Sequence, residues 1–207
     1  MNIGRLTFCA MVLATFLPCL TNAAVPAHYM LGIKMNAVGC LLKGGGLEHC
    51  GEGHAVHVTG LYPEPLSASC QTQQLAKLSP IQAGLASRLM PDVVQRQQLW
   101  YKVGGCFAND ASAYFRSLGH YAEQLKLPHF IASPKHMAMN ASVMRNALIQ
   151  SNRSLSVDAI MLDCYAYDRS YFLEQIKICY NRTGNYSACP SSVRSSCPKQ
   201  FHIKGFS

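Results

Sequence analysis

The sequence predicts an α+β domain held together by disulfides, and three observations carry that expectation. Alternating apolar and polar residues mark strands towards both ends of the chain. Between them the apolar spacing is helical, and an even set of cysteines follows a segment shaped for export.

The leading segment has Arg5, an apolar run over 6–17, and then Thr21, Asn22, Ala23 and Ala24, with small residues where a signal peptidase would cut. The run, roughly 12 residues, is well short of the ~20 that a membrane-spanning helix needs. Residues 1–23 are expected to be a signal peptide and 24–207 a single exported domain, secreted or periplasmic. No repeat or long linker divides that domain, although Gly44, Gly45 and Gly46 and the Ser/Pro-rich stretch 187–198 mark exposed loops.

In the domain, 29–35 (YMLGIKM) alternates loosely and 55–61 more clearly, so both are predicted strands. Helical spacing follows over 75–89 and 92–103, where Pro91 and Asp92 suit a helix start. The strongest helix is 110–126, with Ala111, Tyr114, Phe115, Leu118, Ala122 and Leu125 on one apolar face. A shorter helix over 139–150 is expected to bury Val143, Met144, Ala147 and Leu148. Strands return at 159–164 and 172–179, the latter with Phe172, Glu174, Ile176 and Ile178 on one side.

Eight cysteines lie beyond the leading segment: Cys40, Cys50, Cys70, Cys106, Cys164, Cys179, Cys189 and Cys197. An even count in an exported chain points to disulfides, and the absence of any C-x-x-C spacing argues against a zinc knuckle or a dithiol redox site. Spacing alone leaves the connectivity open.

The chain carries 18 Lys and Arg against 10 Asp and Glu, a net charge of +8, which loss of Arg5 with the signal lowers by one. A basic exported protein meets polyanions readily, among them nucleic acid, heparin-like glycans and acidic lipid. No G-x-S-x-G, H-E-x-x-H or phosphate-loop pattern occurs, which removes the commonest hydrolase and nucleotide-triphosphate readings.

Two blocks resemble a known family. TGLYP, residues 59–63, resembles the H-G-L-W-P block of the ribonuclease T2 family, and QLWYKVGGC, residues 98–106, resembles its H-E-W-x-K-H-G-x-C block. YMLGIKMNAVGC, AYFRSLGHYAEQLKL and QIKIC are similar to the family's opening strand and first cysteine, its long central helix and its late strand. The resemblance spans 29–197 and implies a central antiparallel sheet packed against helices. It also implies four disulfides: Cys40 with Cys50, Cys70 with Cys106, Cys164 with Cys197, and Cys179 with Cys189.

The family cuts single-stranded RNA without a metal, using the ribose 2′-hydroxyl as nucleophile and passing through a 2′,3′-cyclic phosphate. Such a reaction needs a base for the 2′ proton, an acid for the leaving 5′ oxygen, and positive charge around the phosphate. Histidine suits the first two roles. Carried over one residue at a time, the first block's His falls on Thr59, and the second block's His, Glu and His fall on Gln98, Leu99 and Val103. Lys102 keeps the family's Lys, and Trp100, Gly104 and Cys106 also match.

The sequence therefore predicts a catalytically impaired member that acts by binding RNA or another polyanion. Tyr62, Trp100 and Lys102 are the candidate RNA-binding residues, by stacking and by charge, and no cofactor or metal is expected. The alternative is an active endoribonuclease with rearranged residues, His57 with Lys102. His57 sits about 6.5 Å along the strand from Thr59, on the same face. A third reading is a protein-binding, storage or defence role. Trp100 also reads as a core anchor, and the histidines His28, His49, His54, His120, His129, His136 and His202 are scattered without evident partners. N-x-S/T sequons stand at Asn140, Asn152, Asn181 and Asn185.

Overall fold

A computed structural model describes residues 26–42, 54–107, 110–133 and 135–205. The expected signal peptide and the Cys40–Cys50 pairing lie outside what is described.

The elements run β1 (His28–Met35), α1 (Asn36–Leu42), β2 (Val56–Glu64), α2 (Pro80–Leu89), α3 (Val93–Val103), α4 (Ala111–Gln124), β3 (Met137–Asn140), α5 (Ala141–Ser151), β4 (Ile160–Tyr167), β5 (Ser170–Asn181) and β6 (Gln200–Ile203). The strands form one sheet in the order β2-β1-β5-β6-β3, with β4 paired to β5 beside that path. Every pairing is antiparallel except β5 with β6, which run parallel and meet at Phe172 and His202. The α+β expectation holds, with a mixed sheet in place of a purely antiparallel one.

Helix starts follow from side-chain chemistry. Ser79 and Gln82 form a capping box, with Pro80 in the first turn, so α2 begins at Pro80 and not at 75 as the apolar spacing suggested. Asp92, Asp110 and Asn140 cap α3, α4 and α5 by accepting from backbone N–H groups of the first turn. Asn140 also ends β3, a short strand that sequence reading merged with α5. Val143, expected inside, is 54% exposed, whereas Met144 and Leu148 are buried. Helix α1 and strand β6 had no counterpart in the sequence reading.

Register sorts the sheet's two faces. Val58, Ile33, Ile176 and Leu162 lie side by side across four strands and are buried. The next row, His57, Lys34, Gln175 and Asp163, faces the other way. Against the apolar face pack Leu99, Trp100 and Val103 of α3, Tyr114, Phe115 and Leu118 of α4, and Met144 and Leu148 of α5, in one core.

Two extra residues break the strict alternation. Val58 opposes Ile33 and Gly60 opposes Gly32, so Thr59 is a bulge in β2. Likewise Asp163 opposes Gln175 and Cys164 opposes Leu173, which leaves Glu174 as the extra residue of β5. The latter corrects the expected arrangement of 172–179: Leu173, Ile176 and Ile178 are fully buried, while Phe172 and Glu174 are not in the core.

Three of the expected disulfides are formed, Cys70–Cys106, Cys164–Cys197 and Cys179–Cys189. The first ties the loop after β2 to the end of α3, and each is worth about 2–4 kcal/mol through the unfolded chain it constrains.

Candidate functional site

The two blocks singled out in the sequence meet where α3 crosses β2. Gly60 follows the bulge with a φ of +150°, a backbone conformation that a side chain would strain. A Cβ there would stand 2.7 Å from Cδ1 of Leu99, so the leucine packs directly on the strand backbone. On α3, spacing turns Leu99, Trp100 and Val103 inward, at 6%, 2% and 0% exposure, while Gln98 and Lys102 remain exposed.

Thr59 is half-buried on the polar face, and its Oγ1 accepts a hydrogen bond from Nε2 of Gln175 at 2.8 Å. Its backbone carbonyl accepts from the Tyr62 hydroxyl at 2.9 Å. Burial raises the Tyr62 phenol above its ordinary range, and the Thr59 side chain offsets part of that rise. Nζ of Lys102 lies 5.7 Å from the centroid of the Tyr62 ring, within cation–π reach. Below this pair, Tyr114 bonds both the N–H and the carbonyl of Leu61, each at 3.1 Å, and fixes the strand to α4.

The structure thus brings Thr59, Tyr62, Leu99 and Lys102 together, with Val103 beneath. Thr59, Gln98, Leu99 and Val103 carry no side chain that titrates near neutrality, so these four positions supply neither the acid nor the base that cyclising phosphoryl transfer needs. Trp100 lies against Gly104, whose added Cβ would come within 2.8 Å of the indole, and near Tyr114 at 6.0 Å between ring centroids. At 2% exposure it presents no open face to a base.

His57 lies opposite Lys34 on β1, and its Nδ1 is hydrogen-bonded to Oδ1 of Asn36. Asn36 in turn donates from Nδ2 to the His54 carbonyl at 2.8 Å. His57 is therefore oriented by the turn into α1, whereas Thr59 is oriented by β5. Nearby cations are engaged: Lys34 with Glu174 at 3.1 Å and Lys177 with Asp163 at 2.5 Å. Among the described residues no group of three or more His, Cys, Asp or Glu is arranged to hold a metal ion.

Sequence reading missed Gln175 and Asn36, whose partners are 116 and 21 positions away. It also treated His136 and His202 as unconnected, although pairing of β3 with β6 stacks their rings 4.9 Å apart. No local pattern announces such pairs.

No family model matches the sequence, and no curated protein matches it. Solved structures do. Ribonuclease MC1 from the seeds of bitter gourd superposes with a TM-score of 0.67 at 16% identity, over 84% of this chain and 98% of that one. Japanese pear S3-RNase gives 0.66 at 15% identity, over 86% and 99%. The RNase-related protein from Calystegia sepium gives 0.65 at 16% identity, over 85% and 96%. The described residues carry the ribonuclease T2 fold. No helix among them is long and apolar enough to cross a membrane.

Proposed function

We propose that this chain is an exported, divergent member of the ribonuclease T2 family that acts by binding RNA or another polyanion and does not cleave it by the family's mechanism. The observation that carries the reading is the packing of Leu99 on Gly60 with Val103 fully buried behind it. Aliphatic side chains occupy the positions that the resemblance gives to a carboxylate and an imidazole, and Thr59 stands where the other histidine would be.

What remains at the rim is suited to an anion. The exposed Lys102 ammonium sits over Tyr62, and the whole chain carries a net charge of +8. Mutants of RNase MC1 have been solved in complex with 5′-GMP and with 5′-UMP, which makes nucleotides the first ligands to try here. Three disulfides support export.

The test is an RNA-cleavage assay on the full mature protein beside its His57→Ala variant, with binding of single-stranded RNA measured across salt concentrations. The expected result is no cleavage above background, with binding that weakens as salt rises and weakens further in Lys102→Ala. Cleavage that disappears in His57→Ala would establish instead an enzyme with a rearranged base. Absence of RNA binding at low salt would shift the role to a protein partner.

A further inference from the structure

At the far end of β5 from Tyr180, the parallel strands β5 and β6 are joined only at Phe172 and His202. Between them lies a cavity of about 440 Å³, bordered by Arg169, Tyr171, Asn140, Gln200 and His202. That volume is in the range of small-molecule sites. Its wall carries one permanent charge, the Arg169 guanidinium, and no carboxylate. Among the described residues Arg169 has neither a hydrogen-bond nor an ion-pair partner.

A second cavity of about 280 Å³ adjoins it through Ser170 and adds His136, Phe172, Lys204, Tyr167 and Asp168. The rings of His136 and His202 are stacked at an interplanar angle of 11°, and Phe172 stands 5.7 and 5.6 Å from them. His136 is held below its ordinary pKa by desolvation first, then by the positive charge of His202 and Lys204. The groups meeting here are therefore basic, with Asp168 the one acid on the wall of the smaller cavity.

The turn that delivers Arg169 is unusual. Asp168 and Arg169 take φ of +44° and +60°, at the tip of the β4–β5 hairpin. Asparagine, aspartate or glycine ordinarily fills the first of these positions and glycine the second. Arg169 borders the larger cavity in a backbone conformation that arginine rarely adopts.

We infer that this double cavity binds a nucleoside monophosphate group, its phosphate on Arg169 and its base against the aromatic and imidazole rings beside it. A charged phosphate oxygen suits a forked guanidinium in the larger cavity, whose wall carries no carboxylate. A flat base suits the exposed ring of Tyr167, on the face of Ser170 and Phe172, and the stacked pair His136 and His202. The site lies on β3, β5 and β6, apart from Thr59 and Lys102 and independent of what they do. The ligand has two possible sources, a free nucleotide or the 5′-terminal nucleotide of an RNA strand.

Calorimetric titration of the full chain separates them, using adenosine 5′-monophosphate, adenosine, inorganic phosphate and a 5′-phosphorylated single-stranded hexanucleotide. Arg169→Gly is the informative variant, because glycine accepts the turn's φ and keeps the hairpin. The expected result is binding of the monophosphate at least tenfold tighter than adenosine or phosphate, and at least tenfold weaker in Arg169→Gly, as for a charge-assisted hydrogen bond. Binding of the hexanucleotide alone, with the same dependence on Arg169, would identify the strand as the source. If Arg169→Gly changes neither affinity, or if Lys102→Ala abolishes both while Arg169→Gly does not, the site is not here.

Discussion

Thr59 and Gln175 belong to strands that are not paired, yet Nε2 of Gln175 donates to Oγ1 of Thr59 at 2.8 Å. The bond crosses β1 above Gly32, and a Cβ on that glycine would stand 2.2 Å from Oγ1 and 2.5 Å from Nε2. Gly32 is thus the floor on which a hydroxyl and an amide meet, at the position where the resemblance places a histidine.

Gly32→Ala is expected to destabilise the protein by about 1–3 kcal/mol, as overpacking does. The amide end of Gln175 can swing aside, but the threonine hydroxyl sits on a short branched side chain with little freedom. The cost should therefore fall when Gly32→Ala is combined with Thr59→Ala. Urea denaturation of the two single variants and the double variant gives the coupling directly.

Asn152 illustrates how a sequence pattern and a structure part company. It opens a sequon, but it is 4% exposed, and its Nδ2 donates both to the Lys126 carbonyl and to the Leu148 carbonyl, each at 2.8 Å. Its Oδ1 accepts from the Lys126 N–H at 2.8 Å. With both amide hydrogens engaged inside, a glycan has no place to attach on the folded chain. Produced in a eukaryotic secretory host, the protein is expected to be unmodified at Asn152, which peptide mass mapping reads. Asn152→Ala should cost about 2 kcal/mol or more, because three backbone groups lose their partner, the Leu148 carbonyl in a fully buried setting.

The stability of the fold should also report on His136. Its folded pKa lies below the ordinary imidazole value of 6.5 because of desolvation, with His202 and Lys204 adding repulsion. The unfolded chain then holds more protons than the folded one as pH falls through that value, so acidification destabilises the native state. Asp168 is the one acid on the same cavity wall. His136→Asn is expected to flatten the stability profile between roughly pH 5 and 7. Urea midpoints that keep the same pH slope in the variant would assign the dependence to other groups.

The fold was largely legible in the sequence because its signals are local. Alternation in β1 and β2, the apolar face of α4 and the caps at Asp92 and Asp110 each lie within a few residues of one another. What escaped was what depends on distant pairing. β6 is four residues long and exists because β3 and β5 flank it, and the bulge at Glu174 is visible only against β4. In the candidate site, Leu99 and Val103 were readable as an aliphatic stripe from their spacing. That Leu99 lies on Gly60 was not, since the closeness comes from a bulge one residue earlier in another element.

That contact limits any attempt to restore a catalytic set. Thr59→His alone supplies one imidazole, beside Gln175, and leaves no acid at Leu99 or Val103, so RNA cleavage is expected to stay at background in a sensitive fluorogenic assay. Adding Leu99→Glu places a carboxylate where a side chain of 6% exposure lay on strand backbone, and Val103→His places an imidazole at a position with none. Neither finds a described partner at that position, and burying an unpaired ionisable group costs several kcal/mol or forces it neutral. Leu99→Glu is expected to lower stability by about 3 kcal/mol or more, Val103→His by about 2–4 kcal/mol. Their conservative counterparts Leu99→Met and Val103→Ile should cost less than about 1.5 kcal/mol. If the triple variant Thr59→His, Leu99→Glu, Val103→His instead folds with wild-type stability and cuts RNA, the packing of Leu99 on Gly60 is not the barrier to a catalytic set.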